Sequence, residues 1–311
     1  MLQPSRSQKF SPLKRWGLFI KERFEPLSHF LMIACFFGAN YALDRAIIFS
    51  TEPSTGRILI AFIVTLLFFF HLRLFDELKD YQADLHINPT RPLPRGLIEL
   101  KEFRIVLMSV IGLEVLLASL LGPHVLTALL VPLLFSFLMY KEFFIGNWLR
   151  PKMEAYAISH TLVSAFLALF IACAVTDSAL GFLPQPILIV MFMNWMVFNT
   201  FEFARKTYSR EEERENVETY SQRWGEWGAS IWVFAFTFLA MIAVLRLNDL
   251  MGWKFYSLII LAGISLAPWV AGIIYSTQKT LKFAKLYRGI CAAYLVLFNF
   301  LLLAFGLIHL I

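Results

Sequence analysis

Nine apolar runs, each close to the length a bilayer demands, constrain this chain more than any other feature. They fall at about 27–47, 58–75, 103–121, 124–145, 155–175, 186–203, 227–246, 255–276 and 287–309. A helix needs about 20 mostly apolar residues to cross the hydrocarbon layer. Inside lipid every backbone N–H and C=O must be satisfied within the segment, so runs of this kind read as helices. The fold expected is all-α: a polytopic membrane protein with about nine transmembrane helices in a single bundle. Composition agrees, with 59% of the 311 residues hydrophobic and only 16% charged, against about 25% charged in soluble domains. Residues 1–26 are polar and basic and lack the apolar core of a signal peptide. They read as a tail, with Trp16 to Ile20 forming part of a short amphipathic interfacial helix. Residues 27–311 read as one transmembrane domain without a linker.

A net charge of +6 raises nucleic acid as a partner, but the placement of the charge argues against it. Of the 28 Lys and Arg residues, 24 fall in the tail or in segments 73–104, 141–152, 205–223 and 279–288. Only Arg45, Arg57, Arg246 and Lys254 fall in connections on the other side. Basic residues collect on the cytoplasmic face of membrane proteins. The expectation is a cytoplasmic N-terminus, a C-terminus on the opposite side, and an inner-membrane location if the chain is bacterial. Membrane lipids are the implied surroundings and nucleic acid is not a partner. Cys35, Cys173 and Cys291 all sit inside spans without metal-type spacing and read as small buried residues.

The two long charged connections, 76–102 and 204–226, follow the second and sixth spans and hint at a duplicated four-helix unit with a ninth helix added. The first is the richer. Asp76, Asp80 and Asp84 recur at i, i+4 and i+8, which stacks them on one helical face, with Glu77 beside them. Bare acids at a membrane boundary resist desolvation and repel one another. A Mg²⁺ ion carrying substrate phosphates is a natural counter-charge. Arg91-Pro92-Leu93-Pro94-Arg95-Gly96 follows as a stiff basic loop. Acids for a metal followed by arginines for phosphate suit a membrane enzyme acting on a diphosphate.

Arg73-x-x-Asp76-Glu77-x-x-Asp80-x-x-x-Asp84 with the Arg91–Gly96 loop resembles the first signature of the UbiA family of intramembrane prenyltransferases. Asp76 stands where that family usually carries Asn and Glu77 where it carries Asp; Asp80 and Asp84 match directly. The resemblance extends over nearly the whole chain. It implies a helical bundle with a lipid-open central cavity, Mg²⁺ as cofactor, and an isoprenyl diphosphate and a small hydrophobic or aromatic acceptor as substrates. It implies metal ligation by Asp76, Glu77, Asp80 and Asp84.

The second signature departs from the family pattern. A pair of acids is expected at the end of the sixth span, yet this chain offers Glu202, Arg205 and Lys206. One alignment pairs Glu202 with Lys206; a gapless one sets Lys206 and Arg210 at the acid positions. The closing Thr219-Tyr220-Ser221-Gln222-Arg223-Trp224-Gly225 fits. Cations can supply part of the charge a metal would bring to a diphosphate. Glu202 is therefore read as a ligand for a second metal or as the orienter of Arg205 and Lys206, with a purely structural pairing to either cation as the competing account. Arg73, Lys141 and Lys206 are the candidate catalytic cations, and Arg73, Arg91, Arg95, Lys141, Arg205 and Lys206 the candidate diphosphate contacts. Interfacial snorkelling competes as an account of Lys141. Glu211, Glu212, Glu213 and Glu215 read as a solvated helix face laced with Arg210 and Arg214. Ser159 and His160 read as helix–helix hydrogen-bonding residues, with lining of the cavity as the alternative.

The function expected is Mg²⁺-dependent transfer of a prenyl group to an acceptor, with Phe and Trp around the isoprenoid. A terpene cyclase of the same family is the alternative. A non-catalytic lipid-binding protein and a transporter rank lower, because transporters place their charges on broken helices at the midplane.

Overall fold

Each long apolar run becomes a helix whose ends are set by local chemistry. A computed structural model describes residues 10–49, 51–215 and 217–310. In chain order the helices are α1 (Pro12–Arg23), α2 (Pro26–Ile48), α3 (Thr55–Ile87), α4 (Leu100–Leu120), α5 (Pro123–Tyr140), the single turn α6 (Gly146–Leu149), α7 (Met153–Thr161), α8 (Val163–Thr176), α9 (Pro186–Arg205), α10 (Tyr220–Met251), α11 (Phe255–Gln278) and α12 (Leu281–Leu310). The protein is all-helical, and among the described residues nine helices are long and apolar enough to cross a membrane, with α7 and α8 together making one of them. It is an integral membrane protein. Glu25 caps α2, its carboxylate accepting from the Ser28 N–H at 2.7 Å, and Pro26 starts the helix where a missing N–H costs nothing. The Ser28 hydroxyl and N–H hold the Glu25 carboxyl below its ordinary value. Thr219 caps α10 through the Gln222 N–H at 3.1 Å.

The expected boundaries shift in two places that matter for function. α3 runs on as helix to Ile87, well past the apolar stretch, so the acidic residues lie on an ordered helix. α5 stops at Tyr140 instead of reaching 145, because Glu142, Phe143 and Phe144 take positive φ, a conformation that ends a helix.

Neighbouring spans pack in chain order, from α2 against α3 round to α11 against α12, and α12 returns to α2, closing a ring. In lipid such closure depends on close fit between helices. Gly306 provides it, since a Cβ there would lie 2.7 Å from the Ala42 Cβ. Cys35, Cys173 and Cys291 are buried and free. α4 turns Ile105, Met108, Leu116 and Leu120 outward, as a lipid-facing surface requires.

The amphipathic helix expected near Trp16 is α1. It docks on α3 and α4 through Phe19, which is fully buried and meets Phe103 and Phe70 edge-on at 5.4 and 6.5 Å. The Trp16 indole donates to Glu102 at 2.8 Å, and Arg15 pairs with the same carboxylate. Residues 1–9 of the expected tail lie outside the described residues.

Two expectations fail here. Among the described residues between 207 and 219 there is no helix, so Glu211–Glu213 and Glu215 are not a solvated helical face. Glu212 pairs with Arg288 and Glu213 accepts from Thr219 and Ser221, which folds the loop back on α12 and α10. Ser159 and His160 make no helix–helix bond: the Ser159 hydroxyl and His160 Nδ1 both donate to the Tyr156 carbonyl of their own helix, at 2.9 and 2.7 Å.

Candidate functional site

A polar cavity of about 540 Å³ opens where α3, α5, α7 and α9 end on one side of the bundle. Because α3 stays helical, the i, i+4 spacing sets Asp76 and Asp80 on the cavity wall, with Arg73 one turn before them. Arg23 from the last turn of α1 and Arg91 from the Pro-braced loop enter from the sides. Glu202, Arg205 and Lys206 come from the end of α9.

Six cations, Arg23, Arg73, Lys79, Arg91, Arg205 and Lys206, face four carboxylates, Asp76, Glu77, Asp80 and Glu202. Glu77 is 2% exposed, and Arg23 Nε donates to its Oε1 at 2.5 Å. Glu202 is taken on both oxygens by Arg205, and Lys206 Nζ stands 3.5 Å from its Oε1. Asp76 has only distant partners, Arg73 at 3.9 Å and Lys79 at 3.8 Å. Lys79 also lies over the Tyr156 ring, 5.2 Å from its centroid. The cavity therefore carries net positive charge in a partly buried space, where an anion is bound more strongly than in water.

Not every expected residue lines this cavity. Asp84 lies behind the wall, buried, accepting from Arg91 and from the Asn88 amide at 2.8 Å. Arg95 turns away to Glu22, at 2.7 and 2.9 Å, and to the Thr90 carbonyl. Lys141 extends over the Tyr140 ring at 5.3 Å, and only Tyr140 borders the cavity. Arg23 and Tyr156 are wall residues that the sequence did not single out. Arg23 carried one signal, as a basic residue closing an amphipathic helix; Tyr156 carried none.

An apolar groove of about 540 Å³ runs on from this cavity, sharing Leu72, Arg73, Asp76, Thr161, Glu202 and Arg205 with it. Phe24, Phe69, Phe198 and Phe201 line it with Met32, Leu167 and Leu295. Among the described residues the groove has no Trp wall, so Phe supplies its aromatic surface.

The acids fit one divalent ion better than two. Mg²⁺ is commonly held by one or two carboxylates and completed by phosphate oxygens and water. Among the described residues nothing pairs with the Asp80 carboxylate, Asp76 is loosely engaged, and Glu77 Oε2 is a buried oxygen without a partner. No group of three or more metal-binding side chains forms among the described residues. Both Glu202 oxygens are already engaged by Arg205.

The sequence model of the UbiA prenyltransferase family matches residues 31–290. No curated protein matches the chain. Among solved structures, a digeranylgeranylglyceryl phosphate synthase is similar at 15% identity and TM-score 0.66, over 94% of this chain and 99% of that one. A UbiA homologue from Aeropyrum pernix K1 is similar at 15% identity and TM-score 0.61, over 88% and 96%. One from Archaeoglobus fulgidus bound to GPP and Mg²⁺ follows at 14% and 0.52, over 92% and 99%. At these identities the likeness is one of fold.

Proposed function

The chain belongs to the UbiA prenyltransferase family, and from that premise we propose that it moves a prenyl group from an isoprenyl diphosphate to an acceptor, an aromatic one in the reading favoured here, within the membrane. One observation carries this reading: a cavity with excess positive charge continues directly into a Phe-lined apolar groove. A diphosphate suits the first and an isoprenoid chain the second. The A. fulgidus homologues bound to GPP and to DMAPP with Mg²⁺ support the same substrate class.

Arg73 and Arg205 sit at the junction of cavity and groove and bind the diphosphate there, with Lys206, Arg23, Lys79 and Arg91 adding charge from the cavity side. As the allylic C–O bond breaks, these cations stabilise the electron pair left on the diphosphate. Asp76 and Asp80, with Glu77 beside them, would hold Mg²⁺. The ion supplies Lewis-acid neutralisation of the leaving group when bound. Phe69, Phe198 and Phe201 keep water from the allylic carbon and face its developing positive charge with their rings. Asp84 and Glu202 act as orienters, the first of Arg91 and the second of Arg205 and Lys206. The cavity faces the cytoplasm, and residues 27–311 act as one transmembrane domain.

Product analysis tests the reading. The purified chain in nanodiscs, given geranyl diphosphate and Mg²⁺, is expected to yield a prenylated product only when a phenolic acceptor is added. A cyclised hydrocarbon formed without acceptor would favour terpene cyclisation. Failure to bind diphosphate at all would leave a lipid-binding protein.

A further inference from the structure

His71, Glu114 and Ser136 form a hydrogen-bonded chain that none of these steps uses. They come from α3, α4 and α5, and all three are fully buried. His71 Nδ1 lies 2.7 Å from Glu114 Oε1, and its Nε2 lies 3.1 Å from Ser136 Oγ. Phe68 and Phe75 meet the imidazole edge-on at 4.4 and 5.3 Å. Ser136 belongs to the cavity wall, beside Tyr140.

Ionisable groups inside a membrane bundle are costly, and apolar side chains of similar volume often pack there at least as stably. A pair placed there at that cost is a candidate for function. Glu114 Oε2 has no partner among the described residues, so the His71 imidazole is the group that engages this carboxyl. Ser136, Met139 and Tyr140 line the polar cavity and not the apolar groove. With the prenyl tail in the groove, their side of the cavity is left for the acceptor.

Resting on the prenyl-transfer reading, we propose that His71 is the proton sink of the reaction, reached through Ser136 and held in its tautomer by Glu114. The acceptor is then a nucleophile that loses a proton, a phenol or an activated ring carbon. Its electron pair forms the new bond to the allylic carbon, while the pair of the breaking C–O bond leaves with diphosphate. The acceptor's proton passes to Ser136 Oγ as the serine's own proton passes to His71 Nε2. Glu114, accepting from Nδ1–H, stabilises the imidazolium. Ser136 at present donates to the Leu133 carbonyl at 2.7 Å, and rotation of the hydroxyl redirects it to Nε2. Ser136, closed over in this structure, becomes the contact residue when its hydroxyl turns from Leu133 and the acceptor displaces the neighbouring cavity wall; His71 and Glu114 position and receive.

Two measurements test this. ¹⁵N-histidine spectra of the whole chain in nanodiscs, with His71 assigned by its loss in His71→Gln, should show a neutral ring protonated at Nδ1 only. A ring already protonated at Nε2 would overturn the proposal, since it has nowhere to receive a proton. With geranyl diphosphate, Mg²⁺ and a hydroxybenzoate as phenolic probe, Ser136→Ala and His71→Gln should lower kcat roughly 10²–10⁴-fold. KM for geranyl diphosphate should stay within about twofold, and Ser136→Thr should restore turnover. Because His71→Gln leaves Glu114 unpaired, the double variant His71→Leu/Glu114→Leu serves as the folded control. Transfer at the wild-type rate by that double variant, or a loss that merely tracks unfolding, would count decisively against the relay. A wild-type chain that transfers nothing to the phenol speaks against the functional reading instead, and the protonation state of the ring still decides the relay.

Discussion

Lys206 Nζ stands 3.5 Å from Glu202 Oε1, on a carboxylate that Arg205 already holds through both oxygens. Two cations on one acid leave the end of α9 with net positive charge at the junction of cavity and groove. If Lys206 contacts diphosphate, Lys206→Met should weaken inorganic diphosphate binding by about 1.5–3 kcal/mol, the scale of one charged hydrogen bond. If Lys206 only favours the C-terminal end of α9, where cations are stabilising, stability falls and affinity does not. Titration at fixed Mg²⁺ distinguishes these, and equal affinities would make Lys206 structural.

Asp80 and Asp84 share a helical face in sequence but not an environment in the structure. Asp80 faces the cavity and Asp84 holds Arg91 from behind. Asp80→Asn should cut turnover by at least roughly 10²-fold with the fold intact, as expected of a site that stabilises leaving-group charge. Asp84→Asn should act through Arg91, lowering both diphosphate affinity and thermal stability. Asp80→Asn retaining more than about a tenth of wild-type turnover would remove it from the proposed metal site.

The span pattern and the acidic face were legible because both are periodic, one over some twenty residues and the other over four. Ring closure by α2 and α12 was not, since it depends on two small residues, Ala42 and Gly306, more than 250 positions apart. Arg23 and Tyr156 join the cavity through tertiary docking of α1 and α7, which leaves no local spacing to read. The Glu211–Glu215 run misled because its acids seemed to have helical partners in Arg210 and Arg214, whereas Glu212 pairs with Arg288 on a distant helix.

Ring closure can be tested at Gly306. A side chain there must push α12 away from α2, since its Cβ alone would sit 2.7 Å from the Ala42 Cβ. Overpacking of this kind typically costs about 1–3 kcal/mol. Gly306→Val should lower the unfolding temperature in detergent, and Gly263→Val, where nothing beyond its own helix backbone and chain neighbours lies within 4 Å of the added carbon, should not. Equal behaviour of the two would show that the α2–α12 contact does not limit stability.

Glu212 links stability to pH. Burial opposes its ionisation, but Arg288 and the Ser209 N–H and hydroxyl prevail and hold the carboxyl below its ordinary value. A depressed folded value contributes stability above the unfolded value, about 4.3 for Glu. That contribution is lost as pH falls through the folded value. Thermal stability should therefore drop on acidification below about pH 5, and Glu212→Gln should be less stable at neutral pH with a flatter acid limb. An unchanged acid limb would place the acid sensitivity in other carboxylates.

Orientation in the membrane decides which compartment would supply the proposed diphosphate. The cavity residues Arg73, Lys79, Arg91, Arg205 and Lys206 fall in two of the segments that concentrate the basic residues, the side expected to face the cytoplasm. Nine helices among the described residues are long and apolar enough to cross, and an odd number of crossings would set the two ends on opposite sides. A C-terminal alkaline phosphatase fusion should be active and a C-terminal fluorescent-protein fusion dark. Cysteine accessibility at Gly96→Cys in a Cys35→Ala/Cys173→Ala/Cys291→Ala background should report that loop as shielded from impermeant reagent added to intact cells. A fluorescent C-terminus together with a labelled Gly96→Cys would turn the cavity outward and exclude a cytoplasmic diphosphate as substrate.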